Sequence, residues 1–336
     1  MPMEEVIKTR IRGMLLGVAI GDALGAPAEM KTPAQVKEKF GYIDGYIDMP
    51  KRKHQWTDDT QLTLAVANAL IESKKFDMDM MVKHHISAFD ETVAGWGRST
   101  KDSIARLKRG SNWRTSALDN NEKSGYGNGV LMKMSPFVAY SALNADNTLG
   151  LFAHIHYLIA LTKMTHMSKL AVETSVFHLL ALDGLLKREG RFVRSKWFQE
   201  SEEAFCGWWF NIHPNAFTKL KYSGPSLWHS LPKVQSVATE KPKSTDEALV
   251  ERFDNTYFAL DTICFCYALF LREPNKIDTI LSAVNLGGDS DTNASIVASM
   301  MGALHGEKIF PQNWVEGLDI AVQIRDTADQ LYETFA

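Results

Sequence analysis

The chain has 336 residues, of which 45% are hydrophobic and 23% charged, ample apolar material for a large core. Its formal net charge is -3 with the basic residues scattered, which argues against a nucleic-acid partner. No run reaches the roughly 18 apolar residues that span a bilayer, and the three cysteines lack framework spacing, so a cytoplasmic protein with no membrane partner is expected.

Helical periodicity dominates. The first helix is expected at 4–20. Its apolar centre follows Glu4, Glu5, Lys8, Arg10 and Arg12 and ends in Gly-Asp, so it reads as a helix rather than a signal peptide. A short helix is expected at 33–40. "GYIDGYIDM" at 41–49 reads as a short hairpin or a turn-rich loop, and "PKRKHQW" at 50–56 as a solvated loop. Further helices are expected at 60–73, 77–90, 98–109, 129–143, 148–162 and 167–187, with Asp77 or Asp79 capping the second of these. The last of them places Lys187 and Arg188 where cations suit the helix dipole, and Gly190 follows as a stop signal. After a helix at 197–210, residues 211–247 carry Pro, Gly, Ser and Lys with little periodicity, as a functional loop or a surface excursion would. Helices resume at 245–272, 276–285, 292–304 and 312–333. Cys264 and Cys266 lie two apart on one helix and point to different faces, so they read as buried thiols rather than a metal pair. One domain over 1–336 is expected, because acidic motifs on both sides of the irregular stretch need each other.

Those motifs sit at the mouths of helices that look buried. "WTDDTQLTLAVANALI" (56–71) places Asp58 and Asp59 ahead of an almost wholly apolar segment. "NLGGDSDTNASIVASMMGALHG" (285–306) does the same with Asp289 and Asp291, and "GMLLGVAIGDALGAPAEM" (13–30) ends with Asp22 and then Glu29. Acids at helix N-termini are worth ~0.3–1 kcal/mol each, and each motif alone reads as a cap. One cap needs one side chain, however, and these sites offer a DD and a D-x-D pair with threonine alongside. If the mouths converge, four carboxylates share a small space. Buried unpaired charge costs several kcal/mol per ion, and like charges push acids to protonate. Divalent cations remove the conflict. An all-oxygen ligand set selects Mg²⁺ or Mn²⁺, with Ca²⁺ as the other hard ion, and four or five carboxylates suffice for two ions ~3.5–4 Å apart.

A fourth stretch, "KSGYGNGVLMKMSP" (123–136), carries Gly125, Gly127 and Gly129, which free the backbone for close approach to a ligand such as phosphate. Taken alone, a glycine-rich turn is more often only a turn. His166, in "MTHMSK", taken alone is a cap or a packed side chain. The adjacent His84 and His85 receive no role.

"GDALGAPAE", "WTDDTQ", "GYGNGVLMKMSP", Thr165-His166 and "NLGGDSDTNASIVASMMGALHG" stand in the order found in the ADP-ribosylglycohydrolase family, which the chain resembles over about residues 10–315. The resemblance implies an all-α fold, a single large orthogonal helical bundle with a dinuclear Mg²⁺ or Mn²⁺ site. It implies Thr57, Asp58, Asp59, Asp289, Asp291 and Thr292 as metal ligands. It places Glu29 beside the metals and the scissile ribose, with Glu29, Asp59 and Asp291 as the catalytic set. Gly125, Tyr126, Gly127, Asn128 and Gly129, with His166, would bind ADP-ribose.

The implied activity is hydrolysis of the bond between C1″ of ADP-ribose and the side chain of an ADP-ribosylated protein, arginine first, with serine-linked or polymeric ADP-ribose as the alternative. A metal-dependent phosphohydrolase would instead release AMP. A non-catalytic ADP-ribose binder or an immunity-type protein blocking a transferase would tolerate loss of Glu29 and the acid pairs, which are retained here. Three departures from the family pattern bear on substrate choice. Lys133 stands where arginine is usual, keeping the charge without the planar fork. Met167 follows His166 where polar residues are commoner. "VERFDNTY" (250–257) replaces a glycine-rich approach to the next helix.

Overall fold

The computed structural model describes residues 3–50, 52–91, 93–118, 125–145, 147–212 and 226–336. Among these residues the chain is all-helical, without a strand. In order run α1 (Met3–Gly25), α2 (Pro33–Phe40), α3 (Asp58–Ser73), α4 (Met78–Asp90), α5 (Arg98–Lys108), α6 (Ser135–Asn144), α7 (Thr148–Thr165) and α8 (Lys169–Leu186). Then follow α9 (Arg194–Ile212), α10 (Leu227–Ser236), α11 (Asp246–Phe253), α12 (Ala259–Arg272), α13 (Asp278–Asn285), α14 (Ser290–His305), α15 (Gln312–Gly317) and α16 (Ala321–Phe335). Short 3₁₀ turns occupy Leu131–Lys133 and Glu307–Ile309. No helix among the described residues is long and apolar enough to cross a membrane.

The centre of the molecule is the pair α1 and α14. Gly13, Gly17, Gly21 and Gly25 recur every fourth residue and so share one face of α1. A Cβ built on any of the four would come within 2.3–2.5 Å of backbone atoms of Gly306, Ala298, Ala294 or Ser290. The two helices therefore pack backbone to backbone, which only glycine permits. Ser295 Oγ donates to the Val18 carbonyl at 2.9 Å, and Ser290 Oγ to that of Gly25 at 2.8 Å, which fixes the register. Helices α8, α12 and α13 close around the rest of α14, so every residue from Ser290 to Leu304 is buried.

A third helix is tied to this pair by one carboxylate. Asp22 of α1 accepts hydrogen bonds from the backbone N–H groups of Thr57 (2.9 Å) and Thr60 (3.0 Å) and from the Thr60 hydroxyl (2.6 Å). It thereby caps the N-terminus of α3 from outside that helix. The remaining helices wrap the three. Around α8, α9 and α12 an aromatic cluster of Phe177, Trp197, Phe198 and Tyr267 is fully buried, with His178 Nδ1 and the Tyr267 hydroxyl 2.8 Å apart.

The architecture departs from the sequence expectation in identifiable places. The expected helix at 245–272 is two, α11 and α12. Asp254 takes a positive φ of 56°, and Asn255 is drawn out of helical register by three bonds to the α13–α14 loop. Its amide donates to the carbonyls of Leu286 and Gly287, and its own carbonyl accepts from Asp289 N–H at 2.9 Å. The expected helix at 312–333 likewise breaks at Leu318 to Ile320. Within 211–247, helix α10 forms where no periodicity was evident, with Pro232 inside it; residues 213–225 of that stretch lie outside the described residues. The 41–49 stretch is a loop rather than a hairpin, held by the Asn285 amide, which bonds both the N–H and the carbonyl of Ile43.

Candidate active site

Three helix mouths open on one cleft of about 510 Å³. Asp58 and Asp59 begin α3, and Asp289 and Asp291 flank the start of α14. Both helices carry acids at their N-termini without using them as caps: neither Thr57 nor Asp289 makes a side-chain capping bond. For α3 the capping of the Thr57 and Thr60 N–H groups is done by Asp22.

The approach of the fifth acid, Glu29, follows from the Gly287-Gly288 pair. Both glycines adopt positive φ, +64° and +66°. A Cβ on Gly287 would lie 2.0 Å from the Lys31 carbonyl oxygen, and one on Gly288 would lie 2.5 Å from that of Asn255. Met30 N–H donates to Gly288 O at 2.7 Å, and Gly288 N–H to Lys31 O at 2.8 Å. The loop bearing Glu29 is thus laced to the loop bearing Asp289, and Glu29 enters the same cleft as the aspartates.

The acids are buried in a low-dielectric wall, and their protonation reflects it. Burial pushes Asp289 up to about 6, although the Asn128 amide, 2.5 Å away, pulls the other way. Burial, followed by the charge of Asp22, raises Asp58 and Asp59 well above the usual carboxylate range. Asp291 is raised by burial and then by Asp289. Burial also raises Glu29, against the opposing charge of Arg52. Shifts of this size at a cleft mark candidate functional groups.

Two observations test whether the donors fit a hard divalent cation. Every donor is oxygen, and a buried one on the cleft wall, Asp59 Oδ1, has no hydrogen-bond partner. Thr292 Oγ1 reaches Asp59 Oδ2 at 3.3 Å, so the two mouths touch. As they stand, no three His, Cys, Asp or Glu side chains among the described residues are close enough to hold a metal ion. The fit therefore rests on donor chemistry and on the orphaned Asp59 oxygen.

Most of the residues singled out from sequence line this cleft: Glu29, Asp58, Asp59, Gly125, Gly127, Asn128, Gly129, His166, Asp289, Asp291 and Thr292. Two do not. Thr57 is wholly buried behind it. Tyr126 packs its ring against Phe258 (centroids 6.5 Å apart), while its carbonyl accepts from Ala259 N–H. The glycine loop is moulded around His166: a Cβ on Gly129 would lie 2.9 Å from His166 Cε1. The His166 ring, paired with the Thr165 hydroxyl at 2.9 Å, is driven by burial and then by Lys133 down to about 3, and so is neutral.

Part of the wall was not foreseen. Gly95, Gly97, Arg98, Ser99 and Thr100 line the cleft at and before the start of α5; Asp58 N–H donates to the Ala94 carbonyl at 3.1 Å, and Ser99 Oγ accepts from Gly125 N–H at 3.0 Å. "GWGRST" carries two glycines and two hydroxyls ahead of a helix, the same signal that drew attention to residues 125–129. Tyr257 on the rim had no such signal. Lys133 is fully buried, and burial lowers it to about 7 despite the charge of Asp58.

Residues 3–336 match the sequence profile described as ADP-ribosylglycohydrolase. The ADP-ribosylhydrolase ARH3 of Xenopus tropicalis is 22% identical, covering 97% of this chain and 96% of its own. The ADP-ribosylarginine hydrolase Tri1 of Pseudomonas putida is 24% identical over 96% of this chain and 78% of its own. A solved structure titled ADP-ribosylglycohydrolase-related protein complex superposes with a TM-score of 0.70 at 23% identity, covering 99% of this chain and 100% of the other, and shares the fold.

Proposed function

The chain belongs to the ADP-ribosylglycohydrolase family, and from that premise we propose that it hydrolyses the bond between C1″ of ADP-ribose and a modified arginine side chain of a protein, with two divalent cations, Mg²⁺ or Mn²⁺, as cofactors. The observation that carries the hydrolytic reading is the meeting of Glu29, both aspartate pairs and the glycine loop in one cleft. What supports arginine is the similarity to Tri1, named an ADP-ribosylarginine hydrolase, together with the Glu29 carboxylate on the cleft wall, which can pair with a cationic side chain.

Thr57, Asp58 and Asp59 would hold cations from α3, and Asp289, Asp291 and Thr292 from α14. When bound, the cations would supply Lewis-acid polarisation of the ribose hydroxyls and of a water. The chain's own residues do the rest. The Asn128 amide orients Asp289 while anchored to Thr262 Oγ1 at 2.9 Å. The backbone of Gly125 to Gly129 and the mouth of α5, joined through Ser99 and Gly125, line one wall along which a diphosphate and its ribose would lie. Glu29, at the opening, accepts the proton of the attacking water, and the carboxylates behind it favour the positive charge that develops at C1″ as the bond breaks. His166, being neutral, adds no charge to that environment.

The test is release of free ADP-ribose from arginine-ADP-ribosylated protein with Mg²⁺ and again with EDTA, with serine-linked and polymeric ADP-ribose as parallel substrates. Cation-dependent release from arginine is expected. Release only from the parallel substrates would overturn the linkage, and AMP as product would overturn the bond.

A further inference from the structure

Glu29 does not face solvent alone. Arg52 approaches it with Nη2 at 3.7 Å from Oε2, and the two side chains are 21% and 24% exposed. The other terminal nitrogen of the same guanidinium, Nη1, is buried with no hydrogen-bond partner. A guanidinium with one long ion pair and an unsatisfied buried nitrogen is weakly committed to its place. Arg52 also lines a second hollow of about 520 Å³ together with Lys53, His54 and Trp56. The two spaces share a wall: Ala94 lines the hollow, and its neighbour Gly95 lines the main cleft. The Glu29–Arg52 contact thus stands on the divide between the cleft that would take ADP-ribose and the hollow next to it.

That position is where the side chain leaving C1″ would lie, because Glu29 is the acid at the cleft's opening. We infer that Arg52 is a specificity-determining residue: its guanidinium fills the subsite of the modified side chain and competes with an arginine-linked substrate for Glu29. An arginine-linked substrate brings a second cation to a carboxylate that already holds one, and must displace Arg52 to dock. A hydroxyl-linked substrate brings no charge and meets no such competition. The inference rests on the glycohydrolase reading of the cleft, and it deepens that reading by naming a residue that sets the balance between linkages.

Two measurements test it, one of them independent of turnover. Calorimetric binding of methylguanidinium is compared in wild type, Arg52→Ala and the double variant Arg52→Ala/Glu29→Gln. The single variant is expected to bind up to about fivefold tighter than wild type, the upper end for a partly exposed ion pair, and the double variant to lose that gain. In hydrolysis, the ratio of kcat/KM for arginine-linked over serine-linked substrate is expected to rise about fivefold in Arg52→Ala through KM, with Arg52→Lys between it and wild type. An unchanged methylguanidinium affinity in Arg52→Ala overturns the subsite. An unchanged ratio with tighter methylguanidinium binding overturns the role in specificity. If no form of the protein cleaves either linkage, the glycohydrolase reading fails, and the methylguanidinium series still decides whether Arg52 guards a guanidinium subsite.

Discussion

Gly21→Ala separates the packing account from a simple propensity account, because the two predict opposite signs. In an ordinary helix interior, alanine gains about 1 kcal/mol over glycine. Here the new Cβ would lie 2.3 Å from the carbonyl carbon and oxygen of Ala294 and 2.4 Å from Ser295 N. Carbon contacts settle at about 3.5–4.0 Å, so α1 and α14 must part locally by about 1 Å. The atoms met are backbone, which cannot rotate away, so the cost falls at the upper end of the overpacking range, about 3 kcal/mol. The net expectation is a loss of about 2 kcal/mol, read as a lower urea midpoint at unchanged slope. Activity should suffer more. Parting the helices there shifts the start of α14, and with it Asp289 and Asp291, relative to Asp58 and Asp59, and a displacement of that size costs about a hundredfold in rate. Gly45→Ala, where a Cβ meets nothing within 4 Å, should stay within about 0.5 kcal/mol of wild type. A Gly21→Ala protein as stable as wild type, or more so, would refute backbone-to-backbone packing of the central pair.

Other outcomes follow from the same structure. Asp291→Asn should fold normally and lose about 10²–10³-fold in turnover of ADP-ribosylated protein; wild-type rates would remove Asp291 from the site. Mg²⁺ at a hundred times its dissociation constant should raise the unfolding free energy by about 2.7 kcal/mol over EDTA-treated protein, and an unmoved midpoint would count against the cation site. His178, remote from the cleft, is lowered by burial to about 3. The unfolded chain takes up the proton first, so this residue's contribution is full above about pH 6.5 and is lost as pH falls toward 3. The stability advantage of wild type over His178→Asn should therefore shrink by about 1.4 kcal/mol per pH unit below 6.5. An advantage independent of pH would mean that His178 is not held neutral.

What the sequence made legible was everything governed by local pattern. The helical periods of α3, α4, α8 and α13 and the capping Asp77 were readable because neighbours in sequence decide them. So were the acids, because a DD and a D-x-D pair at the mouths of apolar helices is too much charge for a cap. What stayed hidden depended on distant partners. The break at Asp254 is made by Asn255 reaching the Gly287 loop, more than thirty residues away. The role of Asp22 as the cap of α3 requires knowing that α1 runs beside it. The four-residue spacing of Gly13, Gly17, Gly21 and Gly25 was present in the sequence, yet it gains meaning only with the matching small residues of α14. The start of α5 reads in sequence only as the beginning of a helix, and its place on the cleft stayed hidden because its contact with the loop at 125–129, Gly125 N–H to Ser99 Oγ, joins residues 26 apart.

The central pair also sets a schedule for the protein's birth. Ser295 and Val18, bonded in the folded molecule, are 277 residues apart in sequence. At about 5–20 residues per second, a ribosome that has made the first partner needs roughly 15 s to 1 min to deliver the second. Through that interval α1 shows a glycine-lined stripe with nothing to lie against, and the cleft has only three of its five acids. A chain truncated before Ser290 has neither the second pair of acids nor the central helix pair. The long wait makes the nascent chain, rather than the finished protein, the form most exposed to chaperones and proteases.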